Sequence, residues 1–258
     1  MIRIYKNGDD FLAENAEMLE KNAYATAFFF IDAKVFSEPS ENNYALRAES
    51  DGEALLAMRI APFNLLLYGE PGLVPEVLDF LSREGYNYEG INCLLELGER
   101  LPSGFTLSMG MDFMEATEIT EPSCSEVETP GEGDVEELYE CFVNFCADCG
   151  LPDKPEMERI RKRLHDVRCL RRGGKIVSVA MINPDTERSR RLSYVYTRPE
   201  YRGMGFARKV VNFAKNEIIS QGLAATLNVD RKNPVSNHLY ESLGFRRMFS
   251  QGVYVKAK

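Results

Sequence analysis

The order of predicted secondary-structure elements occurs twice in this 258-residue chain, at an offset of about 120–130 residues. In each half, a β-hairpin is followed by a strand, a turn that contains glycine, and a helix. Helices that alternate with strands in this way favour an α/β fold built on a mixed sheet. We interpret the recurrence as a diverged duplication, with two unrelated α/β halves as the alternative.

In the N-terminal half, Asp51-Gly52 marks the hairpin, because this dipeptide suits the positive φ angles of a tight two-residue turn. A second turn, Gly69-Glu70-Pro71-Gly72, separates a strand from the helix that follows it. Helices are predicted over residues 9–25 and 73–83, and strands over 44–50, 53–60, 64–68, 91–97 and 105–111.

In the C-terminal half, Gly173-Gly174 marks the hairpin, and Gly222 suits the position just after a helix. Asp134 and Glu137 have the spacing of a capping box at a helix start. Helices are predicted over 134–147, 154–165, 203–221 and 234–243, strands over 114–119, 168–171, 175–182, 192–197, 224–229 and 251–256, and a polar loop over 184–190.

Turn-forming residues lie between the halves, in Glu121-Pro122-Ser123 and in Thr129-Pro130-Gly131-Glu132-Gly133. We therefore expect an N-terminal domain over residues 1–120, a linker over 121–133 and a C-terminal domain over 134–258.

Acidic and basic residues are unevenly distributed between the halves. Residues 1–120 hold 21 Asp/Glu and 8 Lys/Arg, a net charge of −13, whereas residues 121–258 hold 19 and 23, a net charge of +4. The C-terminal half is therefore the better host for an anionic ligand, and the N-terminal half either favours a cationic ligand or is acidic for solubility. The total of −9 argues against nucleic acid as a partner.

Apolar residues make up 44% of the chain, which is typical of a soluble globular protein. The densest apolar run, residues 27–31, is interrupted by Asp32 and is too short to cross a membrane. Residues 1–6 lack the apolar stretch of a secretory signal, so we expect no membrane association and a cytoplasmic location.

In the absence of an export signal, the six cysteines are expected to be reduced. Cys146 and Cys149 form a CxxC pair near Cys141, but the sequence offers no partners for a metal or redox site. We therefore expect no metal and interpret all three as small apolar residues on or just past one helix.

The segment with the clearest chemistry lies between a predicted strand and a predicted helix: Thr197-Arg198-Pro199-Glu200-Tyr201-Arg202-Gly203-Met204-Gly205-Phe206-Ala207. Glycine lets the backbone approach a ligand with no Cβ in the way. The free N–H groups at a helix start form an anion site, and Arg202 adds a guanidinium suited to phosphate. A pyrophosphate is the natural ligand, although a tight strand-to-helix turn alone would also explain two glycines.

A second segment, residues 233–245, begins a predicted helix with Asn233 as the N-cap and Pro234 at the first helical position. Tyr240 lies near the end of this helix, on a face that we predict to be more polar than that of Leu239 and Leu243.

Together, the two segments resemble the GNAT acyltransferases, over roughly residues 115–258. Arg202-Gly203-Met204-Gly205-Phe206-Ala207 is similar to the family's R/Q-x-x-G-x-G/A pyrophosphate loop, and Asn233, Tyr240 and Gly244-Phe245 are similar to its second motif. The resemblance implies a GNAT fold in the C-terminal half. It also implies an enzyme that transfers an acetyl or other acyl group from acetyl-CoA to a primary amine by direct attack.

The resemblance assigns a role to each matched residue. The strand at Val195, Tyr196 and Thr197 would pair with the pantetheine arm of coenzyme A, and a backbone N–H near Val195 would polarise the thioester carbonyl. The amides of residues 203–207 would hold the pyrophosphate, Asn233 would contact the pantetheine, and Tyr240 would protonate the departing thiolate.

Three further polar residues carry weaker expectations. Glu200 is a weak candidate for the base that deprotonates the acceptor amine, because its neighbours suggest an exposed loop. His165 and His238 are expected at the surface.

The corresponding loop of the N-terminal half, Gly69-Glu70-Pro71-Gly72-Leu73, has no basic residue. Glu70 would repel a phosphate, and Pro71 removes an N–H donor. This half resembles the degenerate halves of tandem GNAT proteins, which shape an acceptor site or an internal interface, and we expect it not to bind coenzyme.

Two other functions remain possible from the sequence. A non-catalytic acyl-CoA-binding sensor or scaffold could retain the loop. Transferases that take aminoacyl groups from tRNA share tandem GNAT-like folds, but they generally lack a pyrophosphate loop. The acceptor is not indicated beyond an amine that arrives as a cation, and no feature indicates an oligomeric state.

Overall fold

The computed structural model describes residues 1–151 and 155–256. The chain divides into two compact units: the first contains Met1–Asp112, Asp230–Lys232 and Phe249–Lys258, and the second contains Phe113–Val229 and Asn233–Met248. This division differs from the boundary predicted near residue 120, because the chain crosses between the units within three strands, Phe105–Ala116, Ala224–Asp230 and Arg246–Lys256, and again after Lys232.

The mixed α/β class predicted from the sequence is confirmed. The strands are β1 (Ile2–Ile4), β2 (Tyr44–Ser50), β3 (Glu53–Arg59), β4 (Leu65–Gly69), β5 (Gly90–Leu94), β6 (Phe105–Ala116), β7 (Val127–Glu128), β8 (Val167–Arg172), β9 (Lys175–Thr186), β10 (Ser189–Thr197), β11 (Ala224–Asp230) and β12 (Arg246–Lys256). The helices are α1 (Gly8–Glu20), α2 (Ala27–Ala33), α3 (Val74–Arg83), α4 (Leu95–Gly98), α5 (Val135–Asp148), α6 (Met157–Lys162), α7 (Phe206–Ser220) and α8 (Pro234–Ser242).

In the first unit, the strands are ordered β1-β2-β3-β4-β5-β12. The pair β4–β5 is parallel, whereas β1–β2, β2–β3, β3–β4 and β5–β12 are antiparallel. The predicted hairpin turn is confirmed, with φ angles of 53° at Asp51 and 85° at Gly52. The sheet has a buried apolar core on each face, one packed with α3 and the other with α1 and α2.

The helix predicted over residues 9–25 ends earlier, at Glu20, and a separate helix, α2, follows it. The hydroxyl of Thr26 explains the break, because it donates to the carbonyl oxygens of Leu19 at 2.7 Å and Asn22 at 3.0 Å. These bonds satisfy carbonyl groups at a helix end. The strand predicted over 91–97 likewise ends at Leu94, where α4 begins.

In the second unit, the strands are ordered β11-β10-β9-β8-β7, with β10–β11 parallel and the other pairs antiparallel. Helix α7 packs on one face of this sheet and α5 on the other. The order and directions of β8–β11 are the same as those of β2–β5. The duplication that this order suggests stays a prediction.

The segment predicted as a linker is a structured part of the second unit. Val127 is buried, and Val127 and Glu128 form the edge strand β7, paired with Leu170 and Cys169 of β8. The apolar side chain of Val127 anchors this strand against the core beneath α7, which turn-forming neighbours could not reveal.

Three other predictions differ from the structure in detail. The side chain of Asp134 accepts from the N–H of Gly131 at 2.8 Å, so it caps the 3-10 turn before α5 rather than α5 itself. The polar loop predicted over 184–190 is a tight turn, because β9 continues to Thr186 and β10 begins at Ser189; an ion pair between Asp185 and Arg191 joins the two strands. The strands predicted over 105–111 and 114–119 are one strand, β6.

The basic helix predicted over 154–165 is shorter, with α6 followed by a 3-10 turn over Leu164–Asp166; Lys154 lies outside the described residues. In α5, Cys141 and Cys146 are buried as expected, whereas Cys149, just past the helix, is exposed. Among the described residues, no helix is both long and apolar enough to span a membrane, and no group of three or more His, Cys, Asp or Glu is placed to hold a metal.

Candidate functional site

A β-bulge in β10 lies at the centre of the site. The register of β9 and β10 is regular from Arg190 to Ser193 and resumes at Tyr196, so Tyr194 and Val195 lie opposite one residue of β9. A bulge of this kind bends the strand and increases its twist. Tyr194 has a φ of 48°, which is unusual for a bulky residue and requires support from surrounding structure.

The bulge directs its two side chains to opposite faces of the sheet. The Tyr194 ring packs against α5, with ring centroids 4.4 Å from Phe142 and 5.2 Å from Phe145. Val195 packs on the α7 face. The aromatic contacts supply the support that the left-handed backbone at Tyr194 requires.

Next to the bulge, β10 and β11 stop pairing with each other. Their parallel pairing ends at Leu192 and Leu227, although both strands continue. The backbone edges beyond these residues therefore have no partner in this strand pair. An opening between the carboxyl ends of neighbouring parallel strands is where ligands bind in α/β sheets.

The loop from β10 to α7 contains the two predicted glycines. Gly203 has a φ of 76° and Gly205 a φ of 78°, in the left-handed region that favours glycine. A Cβ added at either position would meet no atom within 4 Å. The space beside both glycines is therefore open, and the loop can accommodate a ligand.

Helix α7 begins at Phe206, three residues later than the predicted start at residue 203. No side chain caps this end, and the first N–H groups of a helix have no acceptors within the helix. The positive end of the helix dipole lies at the same place. The open loop and the uncapped helix start together form an anion-binding arrangement.

The guanidinium of Arg202 already has protein partners. Its Nε donates to the Thr197 carbonyl at 2.9 Å, and its Nη2 donates to Asp148 at the end of α5, at 2.5 Å. The same group lies over the Tyr196 ring, 5.7 Å from its centroid. A phosphate contact by Arg202 would therefore compete with the Asp148 carboxylate.

Other cations near the start of α7 are paired with carboxylates from the predicted linker. Arg208 lies 2.7 Å from Glu121, and Glu126 binds both Lys209, at 2.8 Å, and Arg172, at 2.9 Å. Hydrogen bonds from Lys209 and Arg172 lower the pKa of Glu126 to about 2. These carboxylates offset the positive charge around the loop.

Arg198 fixes the beginning of the loop. Its side chain is buried and donates to the Ile176 carbonyl of β9 at 2.8 Å and to Glu137 and Glu140 of α5, each at 3.2 Å. These bonds connect the end of β10 to β9 and α5, so the loop starts from a fixed point.

Helix α8 begins as predicted. The side chain of Asn233 accepts from the N–H of Ser236 at 3.0 Å, and Pro234 occupies the first helical position. Because this cap uses the carboxamide oxygen, the Nδ2 group of Asn233 is the part available to a ligand.

Tyr240 is buried, with 7% of its surface exposed, so the prediction of a more polar helix face is wrong. Its ring packs in the apolar core with Leu227 and Leu243 and meets Phe245 edge-on at 5.9 Å. Burial raises the pKa of Tyr240 above its ordinary value, with a smaller contribution from the nearby Cys149. Among the described residues, none forms a hydrogen bond with this hydroxyl.

The remaining candidates lie at the surface. Glu200 is exposed and 3.9 Å from Lys175, and His165 and His238 are exposed as predicted. Val195 of the bulge and Tyr240 of α8 share one apolar core, and Glu200 lies in solvent.

Two features of the site were missed by sequence reasoning. The bulge at Tyr194 has no local signal, since the sequence around it reads as an ordinary strand. Asn228 of β11 did have one: it is an amide between Leu227 and Val229 in a strand that pairs in parallel, where apolar residues are typical.

The comparisons with known proteins agree on the C-terminal region. Residues 135–245 match the model of the acetyltransferase (GNAT) family. No curated protein has a significantly similar sequence.

Solved structures resemble the chain over its whole length. A GCN5-related N-acetyltransferase from Sphaerobacter thermophilus is 17% identical, with 99% of this chain and 95% of that chain covered and a TM-score of 0.66. An acetyltransferase from the GNAT family from Colwellia psychrerythraea is 15% identical, with both chains fully covered (100% and 100%) and a TM-score of 0.62. At these identities, the similarity is one of fold.

Proposed function

We propose that the chain transfers an acetyl or other acyl group from acetyl-CoA to a primary amine, because residues 135–245 match the model of the GNAT acetyltransferase family. The observation that carries this proposal is the open glycine loop at the uncapped start of α7. An enzyme that binds coenzyme A needs such a place for the pyrophosphate.

In this proposal, the coenzyme runs from the loop into the opening between β10 and β11. The N–H groups of residues 203–207 hold the pyrophosphate, with Arg202 as a further cation. The edge of β10 at Val195, Tyr196 and Thr197 pairs with the pantetheine arm, and Asn233 contacts it through Nδ2. The end of the parallel pairing at Leu192 supports this path, because it leaves that edge unpaired by β11.

The reaction begins with a neutral amine, whose lone pair attacks the thioester carbonyl carbon. A backbone N–H at the bulge, near Val195, stabilises the oxygen as it becomes negative. The C–S bond then breaks, the amide remains on the acceptor, and the amine loses its proton to solvent. The thiolate takes a proton from the Tyr240 hydroxyl, and Tyr240 regains a proton from solvent before the next turnover.

The Tyr240 hydroxyl holds its proton at neutral pH. A tyrosine hydroxyl titrates ordinarily near ~10, and burial raises that value, so the proton is retained at neutral pH. The hydroxyl also has no competing hydrogen bond among the described residues. It can therefore donate to a sulfur that arrives with the coenzyme.

The acceptor is proposed to arrive as a cation. Residues 1–120 have a net charge of −13, and a field of this sign raises the local concentration of cationic substrates. Small amines, peptide N-termini and lysine side chains all fit this description.

The test is release of free coenzyme A from acetyl-CoA with ethylamine, spermidine, glycinamide and a lysine-containing tripeptide. We expect release above the hydrolysis rate with at least one amine, together with the acetylated product by mass spectrometry. Acetyl-CoA binding without release for any amine would contradict the enzyme and favour a coenzyme-binding sensor or scaffold. The burial of Tyr240 in the apolar core is the observation that keeps that alternative open.

A further inference from the structure

Asn228 lies on β11 at the opening between β10 and β11. It directly follows Leu227, the last residue of β11 that pairs with β10. Ala225, Leu227 and Val229 pack toward α7 and α8. Because successive side chains of a strand point to opposite faces, Asn228 faces the side of the sheet where α5 packs.

The carboxamide oxygen of Asn228 is buried and has no hydrogen-bond partner among the described residues. Its neighbour on the same face, Thr226, shows the ordinary situation: the Thr226 hydroxyl bonds to Asp185 at 2.7 Å. Buried polar groups are nearly always paired. An acceptor atom without a partner, at the point where two strands separate, is therefore suited to an N–H or O–H group of a ligand.

We propose that Asn228 is a positioning residue for the acceptor, whose amine N–H donates to Asn228 Oδ1. This inference rests on the proposed function. Of the residues assigned to the coenzyme, Val195, Phe206 and Tyr240 pack on the α7–α8 face, whereas Tyr196 packs on the α5 face. The pantetheine amides are assigned to the backbone edge of β10, so the unpaired oxygen of Asn228 on β11 is assigned to the amine.

A carboxamide oxygen has consequences for the reaction. It accepts a hydrogen bond but does not take up a proton near neutral pH. Asn228 would thus hold one N–H of a neutral amine and leave the nitrogen lone pair for the thioester carbon. The amine's proton leaves to solvent after attack, as in the proposed reaction.

The test compares Asn228→Leu, Asn228→Asp and the control Thr226→Val, using the fastest amine of the four-member panel. Asn228→Leu has similar size but no acceptor atom, so we expect the acceptor KM to rise about tenfold, the effect of one lost hydrogen bond to a polar partner. The Kd of coenzyme A should stay within about twofold, because the pantetheine amides are assigned to the backbone of β10 and not to Asn228. Asn228→Asp retains an oxygen acceptor and should restore the KM to near the wild-type value.

Thermal stability separates positioning from a structural role. Asn228→Leu removes a buried unpaired group, so its Tm should be unchanged or higher than that of the wild type. Thr226→Val breaks an existing bond, so its Tm should fall while its acceptor KM remains unchanged.

Four outcomes would overturn the inference. The first three are a lower Tm in Asn228→Leu, an unchanged acceptor KM in that variant, and an acceptor KM that does not recover in Asn228→Asp. The fourth is weaker binding of coenzyme A to Asn228→Leu with the acceptor KM unaffected, which would assign the oxygen to the pantetheine. Failure of the proposed function is recognised separately, because the wild type would then acetylate none of the four amines. That result would also contradict the assignment of an amine to Asn228.

Discussion

The loops that follow β4 and β10 occupy the same position in the strand order of their units, yet their glycines serve different purposes. Gly69, at the end of β4, has a φ of 133°, and a Cβ there would lie 2.3 Å from the Ala54 carbonyl oxygen. A Cβ added at Gly205 would meet no atom within 4 Å. The first glycine permits close packing of backbone on backbone, whereas the second leaves room for a ligand.

The starts of α3 and α7 also differ in whether the protein supplies its own anion. The carboxylate of Glu70 accepts from the N–H of Gly72 at 3.0 Å, so the first unit supplies its own anion to the turn before α3. Helix α7 has no side-chain cap. A shared strand order therefore does not imply a shared ligand; the residues of the loop decide.

The largest expected effect comes from closing the open loop. In Gly205→Val, the Cβ occupies the space beside the helix start, and coenzyme A should bind at least ~100-fold more weakly. That figure corresponds to two lost hydrogen bonds to a charged group at ~1.5 kcal/mol each. Calorimetry measures it directly.

Gly173→Val is the matched control for backbone strain. Gly173 lies in the β8–β9 hairpin with a φ of 59° and open space for a Cβ, so valine is strained there too. This control should lower the Tm but leave coenzyme affinity unchanged. Equal affinities for wild type and Gly205→Val would remove the loop assignment.

The next largest effect concerns Tyr240. Tyr240→Phe keeps the ring in its core and removes the hydroxyl, so kcat should fall at least ~10-fold, the cautious end of the range for general acids. The Tm and coenzyme affinity should be nearly unchanged, because that hydroxyl has no hydrogen bond among the described residues to lose.

The pH profile of the wild type adds a check. Since the pKa of Tyr240 is raised, the hydroxyl stays protonated between about pH 6 and 9 and contributes no falling limb there. The rate should instead rise with pH as the acceptor amine loses its proton. A kcat of Tyr240→Phe within twofold of wild type would assign the residue to packing.

The contrast between the loops was predictable from the sequence because it depends on local chemistry. Glycine, proline and a single charge within four residues distinguish the open loop from the one that holds its own carboxylate, and the Asn233 cap is equally local. The bulge at Tyr194 was not predictable. It depends on rings of α5 that lie far away in the chain.

The same distinction explains the failures elsewhere. The partners of Arg202 and Lys209, Asp148 and Glu126, become neighbours only in the folded unit. Tyr240 was placed on a polar face because helical spacing shows which residues share a face, not which face the core covers. The burial of Val127 likewise depends on the strand beside it.

A smaller effect should follow from the difference in charge between the halves. If residues 1–120, at a net charge of −13, attract a cationic acceptor, then kcat/KM for spermidine should fall about threefold or more as salt is raised. The kcat/KM for ethylamine, which carries a single positive charge when protonated, should fall less. A flat response for spermidine, or faster turnover of anionic amines, would contradict electrostatic steering.

The smallest effect tests why the loop after β4 is closed. Glu70→Ala removes a capping carboxylate at a half-exposed position and should reduce the free energy of unfolding by about 0.5 kcal/mol, the low end for lost caps. Glu70→Gln keeps an oxygen that accepts from Gly72 and should be closer to wild type.

If the carboxylate alone excluded phosphate, Glu70→Gln in a Gly205→Val background would regain coenzyme binding through the first unit. We expect calorimetry to show none, because Ala54 still closes the space at Gly69 and Pro71 still has no N–H to donate. Regained binding would mean that charge, and not shape, separates the two loops.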